Sequence, residues 1–226
     1  MFIGHWAPAF AAAAIGPRAP GLGTLFIAGQ LVDWGFFVLA TVGIEKMRVD
    51  PGATEMVPFD LYHMPYTHSL LGTALWALAF AVLLFTWRRD AVKALIGGLV
   101  VLSHWPIDWL VHRPDLTLAG GAETMGLGLW NTPAIAIPLE LALTIGAWWL
   151  WVARTKGPVL PPWILLGFLL LLQAFNWFGP PPATAGFGLC ASALFAFGLA
   201  AALAWWVGGT RWHRREVGLA VASPVR

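Results

Sequence analysis

Three side chains that can bind a metal or move a proton recur every four residues in a stretch otherwise typical of a membrane helix. They are His104, Asp108 and His112, which follow the apolar residues 94–102. An α-helix turns about 100° per residue, so the three side chains form one polar stripe. Imidazole and carboxylate groups bind zinc and also act in acid–base catalysis. Each costs about 2.5–3.5 kcal/mol or more in hydrocarbon when unpaired, so the stripe needs partners.

The pair His104 and Asp108 is the most specific part of this pattern. Residues four apart on a helix point the same way, as in metal sites that take two ligands from one helix. Pro106 between them removes a backbone hydrogen bond and predicts a kink that opens the helix at this point. The upstream residues that could join the pair lie in or beside other apolar segments, and they are His5, Asp33, His63 and His68.

Composition predicts an integral membrane protein. The chain has 226 residues, of which 59% are hydrophobic and 11% charged, whereas about one quarter of a soluble domain is charged. Its one cysteine, Cys190, excludes an intrachain disulfide and a cysteine-rich metal site, so any metal ligands are nitrogen and oxygen atoms. The net charge of +2 is too small to indicate a nucleic-acid partner.

The pattern of apolar runs predicts an all-α, polytopic membrane helical bundle of about six spans. The N-terminal residues 1–15 are apolar but too short to cross a bilayer, which predicts a short helix. We interpret residues 1–226 as one membrane domain, with the metal-site half at about 1–115, additional spans at about 129–207 and a basic tail at 208–226. The expected spans are residues 22–44, 69–87, 91–111, 129–153, 160–178 and 187–207.

Basic residues predict the orientation of these spans. They cluster at alternate ends of consecutive spans, so the positive-inside rule places the clusters and the C-terminus in the cytoplasm. Lys46 and Arg48 then lie on the other side, against the rule. The clusters are Arg88, Arg89 and Lys93, then Arg154 and Lys156, then Arg211, Arg214 and Arg215.

With that orientation, the polar residues of different spans reach similar depths. A rise of about 1.5 Å per residue puts His5, Asp33 and His104 about 18–21 Å from the cytoplasmic face. Asp108 and His68 fall nearer the opposite surface. These five residues are therefore expected to form one site on the non-cytoplasmic side of the membrane.

Several further residues have two interpretations. Thr67 and Ser69 either donate hydrogen bonds to metal ligands or cap the following helix. His63 and His112, at the ends of spans, either orient a substrate phosphate and bond to ligand carboxylates or are interfacial histidines. Glu140 lies in mid-span, where an acidic residue indicates a functional site.

Two motifs carry a family resemblance. The segment His63-Met-Pro-Tyr-Thr67-His68-Ser69, followed after a span by Ser103-His104-Trp-Pro-Ile-Asp108, resembles the membrane-bound, metal-dependent hydrolases described as LexA-binding, inner-membrane-associated hydrolases. The resemblance covers residues 1 to about 115. Met64 departs from it, since the family often has a basic residue there. The resemblance implies a multi-pass protein of the inner membrane.

The order His5, Asp33, His68, His104 and Asp108 is also similar to the first part of the ligand order in zinc-dependent phospholipase C. In those soluble helical enzymes the matching residues hold zinc ions that cleave phosphate esters. The later His-x-x-x-Glu ligands are missing, because Ala136 stands four residues before Glu140. The resemblance therefore implies one or two zinc ions, with His5, Asp33, His68, His104 and Asp108 as ligands.

We therefore predict a membrane hydrolase acting on a lipid or lipid-linked phosphoester, with a homo-oligomer left open. Asp33, His68, His104 and Asp108 would hold one zinc ion, and His5 with a bridging Asp108 would hold a second. The carboxylates of Asp33 and Asp108 would assist proton transfer during attack by water. The alternative is an ion- or proton-coupled transporter in which Asp33, Glu140, His104 and Asp108 titrate along a path. A third interpretation is a scaffold that binds a regulatory protein. It ranks lowest, because it gives these buried ionisable groups no role.

Overall fold

Six helices are long and apolar enough to cross a membrane, which confirms the predicted all-α polytopic bundle. The structure is a computed structural model that describes residues 1–214. Arg215 and the rest of the predicted basic tail lie outside the described residues. The six spans are Leu22–Thr41, Leu70–Arg88, Ala91–Val111, Pro133–Arg154, Leu160–Phe178 and Phe187–Gly209.

The helices are numbered in chain order, and the third span consists of two of them. A 3-10 turn at Ile3–Trp6 precedes the first helix, and a second one at Leu129–Asn131 precedes the sixth. The helices are α1 Ala7–Ile15, α2 Leu22–Thr41, α3 Leu70–Arg88, α4 Ala91–Leu102, α5 His104–Val111, α6 Pro133–Arg154, α7 Leu160–Phe178 and α8 Phe187–Gly209.

Short antiparallel strand pairs occupy three of the connections. The first pair lies between the predicted spans 22–44 and 69–87. Strands of two to five residues are too short for an alternating pattern to show in the sequence. The pairs are β1 Lys46–Val49 with β2 Phe59–His63, β3 Leu116–Thr117 with β4 Thr124–Met125, and β5 Thr155–Lys156 with β6 Trp212–His213.

The N-terminal segment forms the centre of the bundle. Ile3, Trp6 and Phe10 are fully buried, and α1 packs against α2 and α6. The Trp6 ring stacks on Phe26 with centroids 5.3 Å apart, and the Phe10 ring lies 5.8 Å from Trp151. The long spans thus surround a short apolar helix, and this arrangement carries His5 into the protein interior.

The third span breaks where the sequence predicts a kink. Helix α4 ends at Leu102 and α5 begins at His104, with Ser103 between them. Pro106 has no N–H to continue the helical hydrogen bonds across this junction. The Ser103 hydroxyl donates to the Val100 carbonyl at 2.6 Å. The break gives α5 its own axis, and α5 carries the three residues of the polar stripe.

Helix ends are capped by their own side chains. Ser69 accepts a hydrogen bond from the Gly72 N–H at 2.9 Å, so it caps α3, which is one of its two interpretations. Asp90 caps α4, and the hydrogen bond from the Lys93 N–H lowers the pKa of its carboxyl below the ordinary value. The Arg211 guanidinium donates to the carbonyls of Val152 and Thr155 at the end of α6.

The basic residues and the predicted ligands lie at opposite ends of the bundle, which we call the basic end and the polar end. The pairing of β5 with β6 joins the C-terminal ends of α6 and α8, and the start of α2 lies beside Gly208 at the end of α8. Within residues 1–214, the Arg and Lys residues of the three clusters lie on this end. The ends of α2 and α5 and the start of α3 lie on the other, which is where the predicted ligands meet.

Close packing of α2 on α8 depends on Gly23. A Cβ atom there would lie 2.8 Å from the Trp205 Cα, a contact that requires the two backbones to separate. We expect Gly23→Ala to destabilise the protein by about 1–3 kcal/mol, as overpacking does. Thermal unfolding in detergent would measure the loss. Gly146→Ala on α6 is the matched control, because a Cβ there meets nothing within 4 Å and alanine favours a helix. Equal melting temperatures for the two variants would contradict this account.

Candidate metal centre

Four of the predicted ligands form a closed ring of atoms. The Asp33 Oδ1 atom lies 3.2 Å from His68 Nε2 and 3.6 Å from His104 Nε2. The Asp108 Oδ2 atom lies 3.1 Å from His104 Nε2 and 3.6 Å from His68 Nε2. Ligands held at 2.0–2.1 Å around a tetrahedral zinc ion are about 3.3–3.4 Å apart. Each neighbouring pair of atoms in the ring is therefore separated by about the distance between two ligands of one zinc ion.

The orientation of His104 fits a metal ligand. Its Nδ1 atom lies 3.2 Å from the Gly29 carbonyl, which only accepts hydrogen bonds, so Nδ1 carries the proton. The Nε2 atom is buried and has no hydrogen-bond partner among the described residues. A buried nitrogen without a partner is costly unless it binds something else. A metal ligand often has this arrangement, with one ring nitrogen fixed by a backbone carbonyl and the other free.

His68 is fixed by a relay of two residues. The Thr67 hydroxyl donates to the Glu45 carboxylate at 2.6 Å, so its oxygen accepts the hydrogen bond from His68 Nδ1 at 2.8 Å. Glu45 is buried and also accepts the backbone N–H groups of Tyr66 and Thr67, both at 2.9 Å. The relay turns His68 Nε2 toward the two aspartates. Thr67 thus lies behind His68, but its hydroxyl accepts the hydrogen bond from this histidine, whereas the sequence predicts that it donates one to a ligand.

A second group of ligand atoms faces the other oxygen of Asp108. His5 Nε2 lies 2.9 Å from Asp108 Oδ1, and His112 Nε2 lies 3.6 Å from the same atom. The Met1 amino group lies 2.7 Å from it. The His112 Nδ1 donates to the Asp115 carboxylate at 2.8 Å, which leaves its Nε2 free. Asp108 thus lies between two groups of ligand atoms, as predicted for a bridging carboxylate.

The two groups overlap in space. His5, His104 and Asp108 can each offer a ligand atom within 4.8 Å of the others, and so can Asp33, His68 and His104. The rings of His5 and His104 stack in parallel at 3.7 Å. We call these residues, together with His112, the His/Asp cluster.

Buried negative charge dominates the electrostatics of the cluster. The Asp108 side chain is 3% exposed and that of Asp33 18%. Burial alone disfavours a charged imidazole at His68, but the neighbouring Asp33 and Asp108 carboxylates outweigh it and raise the pKa of His68 above its ordinary value. The cluster therefore attracts positive charge, which a proton or a divalent cation can supply.

Glu140 supports the N-terminal turn beside the cluster. Its Oε1 atom accepts the backbone N–H groups of Phe2 at 2.7 Å and Gly4 at 3.1 Å. Its Oε2 atom lies 3.5 Å from the amide nitrogen of Gln173. These contacts hold the residues on both sides of Ile3 and so fix the turn that carries His5.

The structure does not bring His63 to the cluster. It lies exposed on β2, where its ring is 6.5 Å from that of Tyr66. His112, which the sequence groups with His63, is buried beside Asp108. Its ring centroid lies 4.3 Å from that of Trp130. The two histidines thus have different surroundings in the described part of the chain.

Two acidic residues near the cluster were missed in the sequence. Glu45 reads as part of a mixed-charge loop, and no local signal connects it with Thr67, twenty-two positions later. Asp115 follows His112 by three residues, a spacing that could have indicated their contact. Glu45 contacts His68 through the Thr67 hydroxyl, and Asp115 accepts a hydrogen bond from His112 Nδ1.

A cavity of about 600 Å³ adjoins the cluster. Asp33, His68, Asp108 and His112 line one part of its wall, together with Glu140. Residues of α2, α7, α8 and the loop between β1 and β2 form the rest. A bound molecule could thus reach the carboxylates and imidazoles from this side.

Fold and site together define a helical membrane protein with a buried cluster of histidines and aspartates. Comparisons of the chain with protein-family models, with curated proteins and with solved structures gave no match. The resemblance to metal-dependent membrane hydrolases therefore stays a prediction from the motifs.

The relay behind His68 gives a testable prediction. Thr67→Val removes the hydroxyl between Glu45 and His68, and we expect zinc affinity to fall about 10–100-fold, as for other residues that orient ligands. Thr67→Ser should restore it. Thr144→Val is the control, since the Thr144 hydroxyl is buried and has no hydrogen-bond partner in residues 1–214. Competition with a zinc indicator measures the affinities, and an unchanged affinity in Thr67→Val would refute the relay.

Proposed function

We propose that this chain is a membrane-embedded, metal-dependent hydrolase that cleaves a lipid or lipid-linked phosphoester. The observation that carries the proposal is the ring of Asp33, His68, His104 and Asp108, whose neighbouring ligand atoms lie 3.1–3.6 Å apart. Both histidines of the ring have Nδ1 engaged and Nε2 directed inward. Nitrogen and oxygen ligands of this kind suit zinc.

The residues of the ring have separate roles in this proposal. A zinc ion held there supplies Lewis acidity and lowers the pKa of a bound water toward about 7. Asp33 is the more exposed of the two carboxylates and lines the cavity, so it is placed to accept a proton from water. Asp108 holds the ring together from its buried position. His112 lines the cavity too and would orient the substrate phosphate.

A second metal ion would be held by Asp108 Oδ1 and His5 Nε2 in place of the Met1 amino group, which lies 2.7 Å from this oxygen and 3.1 Å from this nitrogen. His5 Nε2 lies close to this oxygen, and His112 Nε2 faces it. A pair of ions that share a carboxylate can hold both the attacking and the leaving oxygen of a phosphoester. We infer one firmly held ion in the ring and a second, more weakly held ion at this position.

The orientation in the membrane is also part of the proposal. The Arg and Lys clusters lie on the end of the bundle away from the His/Asp cluster, and the positive-inside rule puts that end in the cytoplasm. The C-terminus would then be cytoplasmic, and the site would open toward the non-cytoplasmic half of an inner membrane. Lys46 and Arg48 lie on the site's side, where Arg48 pairs with Asp60 at 2.6 Å.

A proton or ion path across the bundle is less well supported. Such a path needs polar groups that reach both faces. The buried core toward the basic end consists of aromatic and aliphatic residues, such as Phe10, Phe26 and Trp151. In residues 1–214 the buried ionisable side chains belong to the cluster, to Glu140 and to the loops on the cluster's side, where Glu45 and Asp60 lie. A pocket closed toward the basic end favours hydrolysis over transport.

Metal content tests the proposal directly. We expect the purified protein, after exposure to zinc and removal of excess, to retain zinc at one or more ions per chain by elemental analysis. His104→Ala and Asp108→Asn should lose it, since each opens the ring. His63→Ala is the matched control and should keep the metal, because His63 lies exposed on β2. A parent protein that retains no divalent metal would overturn the proposal.

Hydrolysis is measured on the same samples with a water-soluble aryl phosphoester. We expect turnover that disappears with a chelator and returns with zinc. Turnover in the stripped protein and in His104→Ala that equals turnover of the zinc-loaded parent would exclude the ring as its source.

A substitution of His5 distinguishes the two proposed ion positions. We expect His5→Ala to lose the weaker ion only, so that zinc content falls by one per chain, whereas His68→Ala loses the ion in the ring. Stepwise chelator titration measures both. The same zinc content and the same titration steps in His5→Ala and the parent would eliminate the second position.

A further inference from the structure

The cavity beside the His/Asp cluster has an apolar part that no step of the proposed hydrolysis uses. It lies between α2, α7 and α8, and we call it the α7–α8 cleft. Its walls come from apolar side chains of these helices. They are Phe37, Leu172, Phe175, Ala193, Ala196 and Phe197.

The cleft reaches the lipid-facing surface of the bundle. Phe175 lines the cavity and is nevertheless 68% exposed, so its ring lies at the rim. Ser192, on the α8 side, is exposed as well. Both residues belong to spans that the bilayer surrounds, so the opening faces hydrocarbon.

Small residues on α8 make room inside the cleft. Ala193 and Ala196 are three positions apart and lie on one face of the helix. Phe197 is buried behind them, and its ring lies 5.8 Å from that of Phe37 and 6.5 Å from that of Trp6. Phe197 and Phe37 both line the cleft, so aromatic rings form part of its wall. The space is thus lined mainly by apolar side chains.

The two ends of the cavity call for different chemistry in one molecule. Carboxylates and imidazoles line one end, where bound cations would attract a phosphate. Mainly apolar side chains line the other end, beside the polar Asn176 and Ser192, so a hydrocarbon chain suits it better than a polar group. A volume of about 600 Å³ is within the usual range for small-molecule sites. A membrane lipid with a phosphoester head group has both parts.

We propose that the α7–α8 cleft binds one hydrocarbon chain of the lipid substrate, which enters sideways from the bilayer between α7 and α8. The inference rests on the proposed function for the phosphoester end of that lipid. The chain would lie against Phe37, Phe197 and the small side chains of Ala193 and Ala196. The cleft therefore favours substrates that carry a hydrocarbon chain.

Filling the cleft tests the inference. Ala196→Phe and Ala193→Phe place a ring in the space that the chain would occupy. We expect kcat/KM for long-chain lipid phosphoesters to fall about tenfold or more, in line with the cost of misfit in apolar pockets. Hydrolysis of the water-soluble aryl phosphoester should stay within about twofold, because the His/Asp cluster is untouched. Ala191→Phe is the matched control, since Ala191 lies on α8 but does not line the cavity.

A binding measurement separates this inference from the hydrolysis itself. Phosphatidylglycerol with a diazirine near the end of one acyl chain is irradiated with the parent protein and with the metal-free His104→Ala variant. We expect labelling of the α8 peptide that contains residues 193 and 196 in both, and its loss in Ala196→Phe but not in Ala191→Phe. Elution volume in gel filtration checks that each variant is folded.

The outcomes are distinct. Labelling of α8 without any hydrolysis would support the cleft and count against the proposed function. Zinc-dependent hydrolysis of the soluble ester, with equal effects of Ala196→Phe and Ala191→Phe on long-chain substrates and no specific α8 labelling, would overturn the cleft and leave the hydrolase proposal intact.

Discussion

The burial of the Asp108 carboxylate is the constraint on which the rest of the site depends. A carboxylate in the interior of a membrane bundle is expensive unless groups of opposite charge or hydrogen-bond donors surround it. Here its two oxygens face different partners, with His68 and His104 on one side and His5 and His112 on the other. These partners come from three separate parts of the chain. The helices therefore have to converge on this one residue.

The N-terminal segment makes this convergence geometrically feasible. A short helix at the centre of the bundle brings His5 against α2, so closely that a Cβ on Gly29 would lie 2.6 Å from the His5 carbonyl. The Gly29 carbonyl in turn accepts a hydrogen bond from His104 Nδ1. One small residue thus brings the backbone of α2 close to two histidines of the cluster. The break at Ser103 contributes the other half by giving α5 its own direction.

The sequence predicts those parts of the molecule that rest on local patterns. Hydropathy locates the spans, and Asp33 and Asp108 stand out because ionisable residues are rare in apolar runs. Their grouping with His68 and His104 follows from depth along helices of known rise.

Glu45 could not be assigned in this way, since its contact with Thr67 depends on how the loop between α2 and α3 folds back. The strand pair within that loop is likewise too short to leave a periodic signal. The α7–α8 cleft depends on the packing of distant helices, which composition does not encode.

The exposure of the cluster distinguishes a reactive site from a structural one. A metal that only joins helices is expected in a closed site, with all its positions taken by protein ligands. Asp33 is instead partly exposed and faces a cavity that His68 and Asp108 also line. An accessible side of this kind leaves space for water and for a phosphate oxygen. Because the same cavity continues into apolar walls that reach the bilayer, a lipid could approach the cluster without leaving the membrane. In the proposed hydrolase, the cost of burying the His/Asp cluster is the cost of polar chemistry on a molecule that stays in hydrocarbon.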